Sequence, residues 1–399
     1  MDAKDYIYDD TFWEWIEKHY GEDVDRLRFS SHGNEMLMDA CLQIECRKRT
    51  ARKLSKTLAN KRFYFPNSLS AEQSSSDAMA EFHSTLIGRG ARILDMTSGL
   101  GIDAMHLSKK AESVDACEMN GELSAALKFN CLQSGINNVR CINDDCIRYI
   151  ESCLPDSYDS VFIDPARRDS SGSRIFALSQ CKPDIVSALP TVFRIAPELI
   201  IKASPMIDIT ATIKELPGIS RIIAAGNAKE CKEIIAVCHR GHTAPPVISV
   251  STEGYGCFDF TQIEEKSSEC RILSSSPRGY LYEPFPAVMK AAPFNVLSKR
   301  YDIGKIAANT HLFVSPNHLE KFPGHCFLIK DVIPFDKNGI RKVKSEYDRL
   351  NITTRNFILP PDQLVKKLKI KEGGNLQLFA VTDHAKNKLM IITEPVKNN

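Results

Sequence analysis

Apolar positions recur at helical spacing through the first 60 residues. Leu37, Ala40, Cys41, Ile44, Ala51, Leu54 and Leu58 fall near i, i+3, i+4 and i+7. Phe63-Tyr64-Phe65-Pro66 breaks this run, and a second helix is expected over 77–87, ending at Gly88 and Gly90. From Ala91 short apolar runs alternate with amphipathic ones. Strands are predicted at 92–96, 113–118, 139–143, 160–164, 199–203, 221–225 and 233–238. Helical patterns lie between the early ones, at 103–109, 121–134 and 147–153. Such alternation is the signature of a parallel, doubly wound α/β sheet, here over 91–240 after a helical preface at 1–90.

Pro245-Pro246 closes that unit. Strands are expected at 247–251 and 256–260, and the polar stretch 266–276, with five serines, reads as a flexible turn or linker. The remainder has an α+β texture. The segment 284–291 precedes a helix near 296–301, and strands are expected near 310–314, 325–329, 330–335 and 356–359. A helix over 361–368, a Gly373-Gly374 turn and a closing hairpin of 377–382 with 388–393 complete the chain. No internal repeat is evident.

At 399 residues, with 43% hydrophobic and 26% charged, the chain has globular composition and room for two or three domains. Its net charge of +2 carries no information about a polyanionic partner. The 13 cysteines are scattered with no Cys-x-x-Cys pair, so no metal site is expected. They fit reduced cysteines of a cytoplasmic protein. Neither a secretory signal nor a membrane span is expected.

Charge is uneven. From Arg300 onward there are 17 Lys+Arg against 10 Asp+Glu. Between Arg47 and Arg62 stand eight cations and no acid. That run is either a solvated helix face or a surface for phosphates.

The most informative stretch is Ile93-Leu94-Asp95-Met96-Thr97-Ser98-Gly99-Leu100-Gly101-Ile102-Asp103-Ala104, a strand, a glycine turn and a helix in the order nucleotide-type cofactors need. Gly-x-Gly-x-x-Ala alone also fits a dinucleotide site. The acids discriminate. Asp95, at the strand end, would repel a pyrophosphate but favour the ammonium and sulfonium of S-adenosylmethionine. Glu118 ends the second strand, where a carboxylate can accept two ribose hydroxyls. Asp145-Cys146 ends the third, within reach of an adenine amino group, and Asp164-Pro165 ends the fourth. Each acid singly could equally cap a helix.

These residues resemble the motifs of class I S-adenosylmethionine-dependent methyltransferases, across about 70–240. A narrower resemblance is to the methyltransferase family with a ferredoxin-like middle domain and a THUMP-like C-terminal domain. It rests on Leu69-Ser70-Ala71-Glu72-Gln73-Ser74-Ser75-Ser76, Ile163-Asp164-Pro165-Ala166-Arg167-Arg168-Asp169 and Ile201-Lys202-Ala203-Ser204-Pro205-Met206-Ile207-Asp208. Arg355-Asn356-Phe357 and Leu368-Lys369-Ile370-Lys371-Glu372-Gly373-Gly374 match as well.

The resemblance implies a Rossmann-like seven-stranded methyltransferase sheet with an N-terminal helical region and C-terminal α+β accessory domains. The expected boundaries are 1–90, 91–245, 246–327 (ferredoxin-like) and 328–399 (THUMP-like). It further implies S-adenosylmethionine as cofactor and a structured RNA, tRNA or rRNA, as substrate. Cofactor contacts are expected from Gln73, Ser74, Asp95, Thr97, Gly99, Gly101, Asp103, Glu118, Met119, Asp145, Cys146 and Asp164. Asp164, Pro165 and Arg167 are the catalytic candidates. Arg167, Arg168, Lys202, Ser204, Lys366, Lys367 and Lys369 are the substrate-binding candidates.

Asp-Pro-Ala-Arg lacks the aromatic ring of the Asp-Pro-Pro-Tyr form, which weighs against adenine N6. Pyrimidine C5 chemistry needs a cysteine nucleophile, and 202–206 offers none, so a ring or exocyclic nitrogen is favoured. A small-molecule or protein methyltransferase, a non-catalytic RNA-binding protein and a dinucleotide-dependent oxidoreductase remain as alternatives.

Overall fold

A computed structural model describes residues 5–165 and 178–396. The chain divides into two compact units, Met1–Ala203 with Thr210–Ile219 and Ala236–Thr243, and Ser204–Ile209 with Ser220–Ile235 and Ala244–Asn399.

In the first unit, strands β1 (Arg92–Asp95), β2 (Ser113–Cys117), β3 (Val139–Ile142), β4 (Ser160–Ile163) and β5 (Glu198–Ala203) follow the pattern read from the sequence. They lie in the order β3-β2-β1-β4-β5, all parallel. β4 is buried throughout, as a strand covered on both faces must be. The chain order reverses between β1 and β4, the place where open α/β sheets form a ligand crevice beyond their carboxyl ends. Helices Ile102–Leu107, Gly121–Gln133 and Cys146–Ser152 supply the crossovers. One helix, Ile185–Ile195, was not expected, because Pro190 interrupts its pattern. Ile185, Ala188, Leu189, Val192 and Ile195 nevertheless keep helical spacing and are buried. The last two strands that the pattern predicts, β6 (Ile219–Gly226) and β7 (Cys231–His239), fall almost wholly in the second unit and across both units respectively.

The N-terminal helices Asp10–His19, Val24–Ser30 and Glu35–Thr50 are capped by the side chains of Asp9, Asp23 and Asn34. Their apolar faces gather Phe12, Trp13, Ile16, Leu27, Ala40, Cys41 and Ile44 around Ala126 and Phe129 of helix Gly121–Gln133. The Asn130 amide ties this cluster by bonding both the N–H and the C=O of Tyr64.

Seven of the eight cations in the acid-free run are engaged within this unit. Arg47 is buried, donates to the carbonyls of Lys61 and Phe63, and lies 5.5 Å from the Trp13 ring centre. Arg49 pairs with Glu45 and Glu72, Lys56 with Glu81, Lys61 with Glu17, and Arg62 with Asp10. Lys48 and Lys53 donate to backbone carbonyls. Acids outside the run thus pair with four of its eight cations, which weighs against a continuous phosphate-binding surface there.

In the second unit, β8 (Val247–Thr252) runs parallel to β6 and antiparallel to β9 (Gly256–Thr261). A seven-stranded sheet follows, made of β10 (Tyr280–Pro284), β11 (Gly304–Ala307), β12 (Thr310–Ser315), β13 (Gly324–Pro334), β14 (Asn351–Arg355), β15 (Gln377–Thr382) and β16 (Lys388–Pro395). Its order is β11-β12-β10-β13-β16-β15-β14. Helices Lys337–Glu346 and Pro361–Leu368 cover one face through Val343, Leu364 and Leu368 against Leu378, Ala380, Met390 and Ile392.

Three expectations are corrected here. The serine-rich 266–276 stretch is not a free linker: Arg271 donates its N–H to Ser298 Oγ, the Leu273 N–H donates to the Lys305 carbonyl, and the Lys305 N–H donates to the Arg271 carbonyl. The two strands expected on either side of 328 are one strand, β13, with a register shift between Ile329 and Asp331. The strand expected at 356–359 lies earlier, because Asn356 adopts φ +51° and ends it. Helix Lys337–Glu346 was missed, since its apolar face is narrow and its remainder charged.

Candidate functional site

The glycine turn joins β1 to helix Ile102–Leu107. Gly99 and Gly101 both have positive φ, +53° and +86°. A Cβ at Gly101 would overlap the Leu127 side chain, whereas one at Gly99 would meet open space. Gly101 is thus required twice, by conformation and by close packing, and Gly99 by conformation alone.

Two carboxylates and one backbone group reinforce the turn. Glu118 Oε2 accepts the Gly99 N–H at 2.8 Å, and its other oxygen accepts the Asn120 N–H at 2.8 Å. The end of β2 is thereby tied to the turn. Asp95 is buried beneath it, with Oδ1 accepting the Thr97 N–H at 3.2 Å and Oδ2 without a hydrogen-bond partner among the described residues. Burial, with the neighbouring Asp103 carboxylate, pushes the Asp95 carboxyl up to about 8. Asp164, following β4, donates its N–H to Thr97 Oγ1 at 2.8 Å.

Asp103 belongs to a buried polar group. Its carboxylate meets His83 Nδ1 at 2.7 Å and accepts from Ser75 Oγ. Burial opposes its ionisation, but His83, Lys202 and Ser75 outweigh that and hold the carboxyl below the usual carboxylate range. Lys202, at the end of β5, donates to Ser75 Oγ at 2.8 Å and to Asp164 Oδ2 at 2.6 Å.

Around these residues opens a cleft of about 990 Å³ at the carboxyl ends of β1–β4. Gln73, Ser74, Thr97, Gly99, Gly101, Asp103, Glu118, Met119, Asp145, Cys146, Asp164 and Pro165 all line it. Asp95 is not in the wall; it supports the turn from below. Asp145 is exposed, and its Oδ1 caps helix Cys146–Ser152 through the Ile147 and Arg148 N–H groups. Burial raises the thiols of Cys117 and Cys146, to about 12 and about 11, the latter with help from Asp145.

The remaining sequence candidates are placed elsewhere. Lys202 is buried and directed into the polar group rather than into the cleft wall. Ser204 belongs to the second unit, where its Oγ accepts the Met206 N–H at 3.2 Å. Lys366, Lys367 and Lys369 are exposed in that unit, with Lys367 Nζ 5.0 Å from the Phe335 ring centre. Arg167 and Arg168 lie outside the described residues. Sequence reasoning missed Lys182, Pro183 and Asp184, which line the cleft, and His83, which only the fold brings to Asp103.

The wall chemistry selects a ligand type. The described lining acids are Glu72, Asp103, Glu118, Asp144, Asp145, Asp164 and Asp184; Arg49, Arg148 and Lys202 pair with four of these, which leaves Glu118, Asp145 and Asp184 against Lys182 in the described wall. Such a wall opposes a pyrophosphate and favours a cation-bearing ligand. Leu100, Met119, Leu123 and Ile147 add apolar surface for a flat ring. The residues present fit S-adenosylmethionine.

Comparison with known proteins agrees with this geometry. Residues 280–323 match a family model for a ferredoxin-like domain and residues 324–395 one for a THUMP domain-like region. A solved structure from Porphyromonas gingivalis W83, described as a "putative methyltransferase", superposes with a TM-score of 0.90 at 27% identity, covering 100% of both chains. An uncharacterized RNA methyltransferase of Mycoplasma mobile is 32% identical over 100 residues, 25% of this chain and 27% of that protein. A 23S rRNA (uracil-C5)-methyltransferase of Alteromonas mediterranea is 35% identical over 101 residues, 25% of this chain and 19% of that protein. The chain thus spans about a quarter or less of the length of these curated relatives. Fold and site define a protein of class I methyltransferase architecture. Within it, residues 280–323 and 324–395 carry the ferredoxin-like and THUMP-like domains, and over its full length the chain is similar to the Porphyromonas gingivalis structure.

Proposed function

We propose that the protein is a cytoplasmic S-adenosylmethionine-dependent methyltransferase whose substrate is a nucleotide of structured RNA, tRNA or rRNA. The acid-lined cleft beyond β1–β4 is the observation that carries this reading. RNA enters through the names of the Mycoplasma and Alteromonas relatives and through the THUMP-like domain.

In this reading Glu118 accepts the ribose hydroxyls while holding the glycine turn. Met119, Cys146 and Ile147 flank the adenine, with Asp145 beside its amino group. Gln73, Ser74, Thr97 and Asp103 face the methionine end, and Asp95 supports the turn below it. The bound cofactor supplies an electrophilic methyl group on a sulfonium. Asp164 and the adjoining Pro165 backbone accept hydrogen bonds from the target N–H group and orient its lone pair. Lys366, Lys367 and Lys369 contact phosphates in the second unit, and Arg167 and Arg168 stand next to Asp164-Pro165 in sequence.

We favour a nitrogen target. C5 chemistry requires a cysteine thiolate, and burial raises the two thiols in the described wall. The Alteromonas relative, named for uracil C5, pulls the other way.

Calorimetric titration with S-adenosylhomocysteine and with NAD tests the cofactor class. One equivalent of S-adenosylhomocysteine should bind and raise the thermal midpoint. Binding of NAD with no binding of S-adenosylhomocysteine would overturn the reading.

A further inference from the structure

Lys202 is 4% exposed, and lysines are rarely buried this deeply unless paired. Its position follows from strand register. β4 and β5 pair in parallel with Ile163 opposite Ile201, so the next residues, Asp164 just past β4 and Lys202 at the penultimate position of β5, stand side by side. The ammonium bridges Asp164 Oδ2 at 2.6 Å and Ser75 Oγ at 2.8 Å, with Asp103 Oδ2 at 3.8 Å. Asp103 is held in turn by His83. Three separate segments therefore converge on this one cation of β5: the turn before helix Asp77–Ser84, the helix after the glycine turn, and the residue after β4.

A buried ion pair is a poor device for stability alone, since desolvation consumes most of its attraction. Its distinctive product is geometry: a charge with fixed donors can occupy only one place. Here the group so fixed is the carboxylate at the rim of the cleft.

We propose that Lys202 is a positioning residue for the transfer reaction: clamped by Ser75 and Asp103, it fixes the placement of the Asp164 carboxylate. This deepens the function proposed above and rests on it for the role of Asp164. It also reassigns Lys202, which acts through Asp164 and not on substrate phosphate. A carboxylate held in this way offers an acceptor, which suits a target bearing an N–H group.

The test uses the full chain, S-adenosyl-[methyl-³H]methionine, and unmodified 16S and 23S rRNA transcripts with bulk tRNA as probes. Lys202→Met keeps the length of the side chain and removes its charge. The expected result is a fall in kcat of at least 30-fold, with the S-adenosylhomocysteine Kd and the RNA KM within threefold of wild type. Crystals of the S-adenosylhomocysteine complex should show the Asp164 carboxylate displaced or split between conformers. A folded Lys202→Met variant with kcat within threefold of wild type and Asp164 unmoved would overturn the proposal.

If Lys202→Met does not fold, Lys202→Arg decides. It keeps the charge but presents a planar fork in place of a point donor. Lowered kcat per folded, cofactor-binding molecule supports positioning, and wild-type kcat overturns it. If wild type binds S-adenosylhomocysteine yet methylates no RNA, the function proposed above fails, and the placement of Asp164 in the variant crystals still decides the role of Lys202.

Discussion

Thr97 and Asp164 exchange two hydrogen bonds through a single hydroxyl: Thr97 Oγ1 accepts the Asp164 N–H at 2.8 Å and donates to the Asp164 carbonyl at 3.2 Å. The glycine turn after β1 and the Asp-Pro segment after β4 are thereby locked together, 67 residues apart in sequence. Thr97→Val keeps the shape and removes both bonds. We expect a loss of about 1–3 kcal/mol of stability in urea unfolding, the cost of leaving half-buried backbone groups unsatisfied. Turnover should fall more than S-adenosylhomocysteine affinity, because the Asp164 backbone loses its anchor.

Gly99→Ala and Gly101→Ala separate two demands of the turn. Both force a Cβ into positive φ, which costs about 1–2 kcal/mol. Only Gly101→Ala also collides with Leu127. Its thermal midpoint should fall well below that of Gly99→Ala, and adding Leu127→Ala should not recover wild-type stability. Equal midpoints for the two single variants would contradict the packing described.

Glu118 holds Gly99 and Asn120 with one oxygen each. Glu118→Ala should weaken S-adenosylhomocysteine binding by about 1–3 kcal/mol, measured by calorimetry. An unchanged Kd would remove Glu118 from the cofactor site.

Asp95 gives a pH signature. Burial raises its folded-state carboxyl to about 8, above its unfolded value, so the folded protein retains a proton that the unfolded chain has lost. This contribution is present at low pH and is lost as pH rises from the ordinary carboxylate range through about 8. Asp95→Asn stays neutral throughout. Its thermal midpoint relative to wild type should therefore climb between pH 5 and pH 8.5, roughly the limits of that window. A constant difference would place the Asp95 carboxyl in its ordinary range.

The sheet was legible because its cues are local. Apolar runs mark β1–β7, glycines mark the turn, and one acid follows or ends each of β1, β2, β3 and β4. The lining of the cleft followed, since strand ends fix where those residues sit. What stayed hidden depends on partners distant in sequence. The cations from Arg47 to Arg62 looked available for phosphate, yet Asp10, Glu17, Glu72 and Glu81 neutralise four of them from up to 52 residues away. Lys202 resembled a substrate lysine until the β4–β5 register put it against Asp164. Pro190 masked a helix whose burial pattern overrides one missing hydrogen bond.

The exposed cations of the second unit give a salt-dependent prediction. Replacing Lys366, Lys367, Lys369 and Lys371 by alanine should reduce the dependence of log affinity for rRNA on log salt by up to about four phosphate contacts. S-adenosylhomocysteine binding should be unaffected. A folded variant with the wild-type salt slope would leave these lysines as solubilising surface.

The most direct test of the central claim is transfer itself. The protein is incubated with S-adenosyl-[methyl-³H]methionine and fractionated tRNA, rRNA and protein from cells lacking its gene, and the labelled fraction is digested to nucleosides. The prediction is label in one RNA nucleoside, on nitrogen, that Asp164→Ala abolishes while S-adenosylhomocysteine still binds. Label confined to protein or small molecules, or no transfer by a protein that binds S-adenosylhomocysteine, would contradict it.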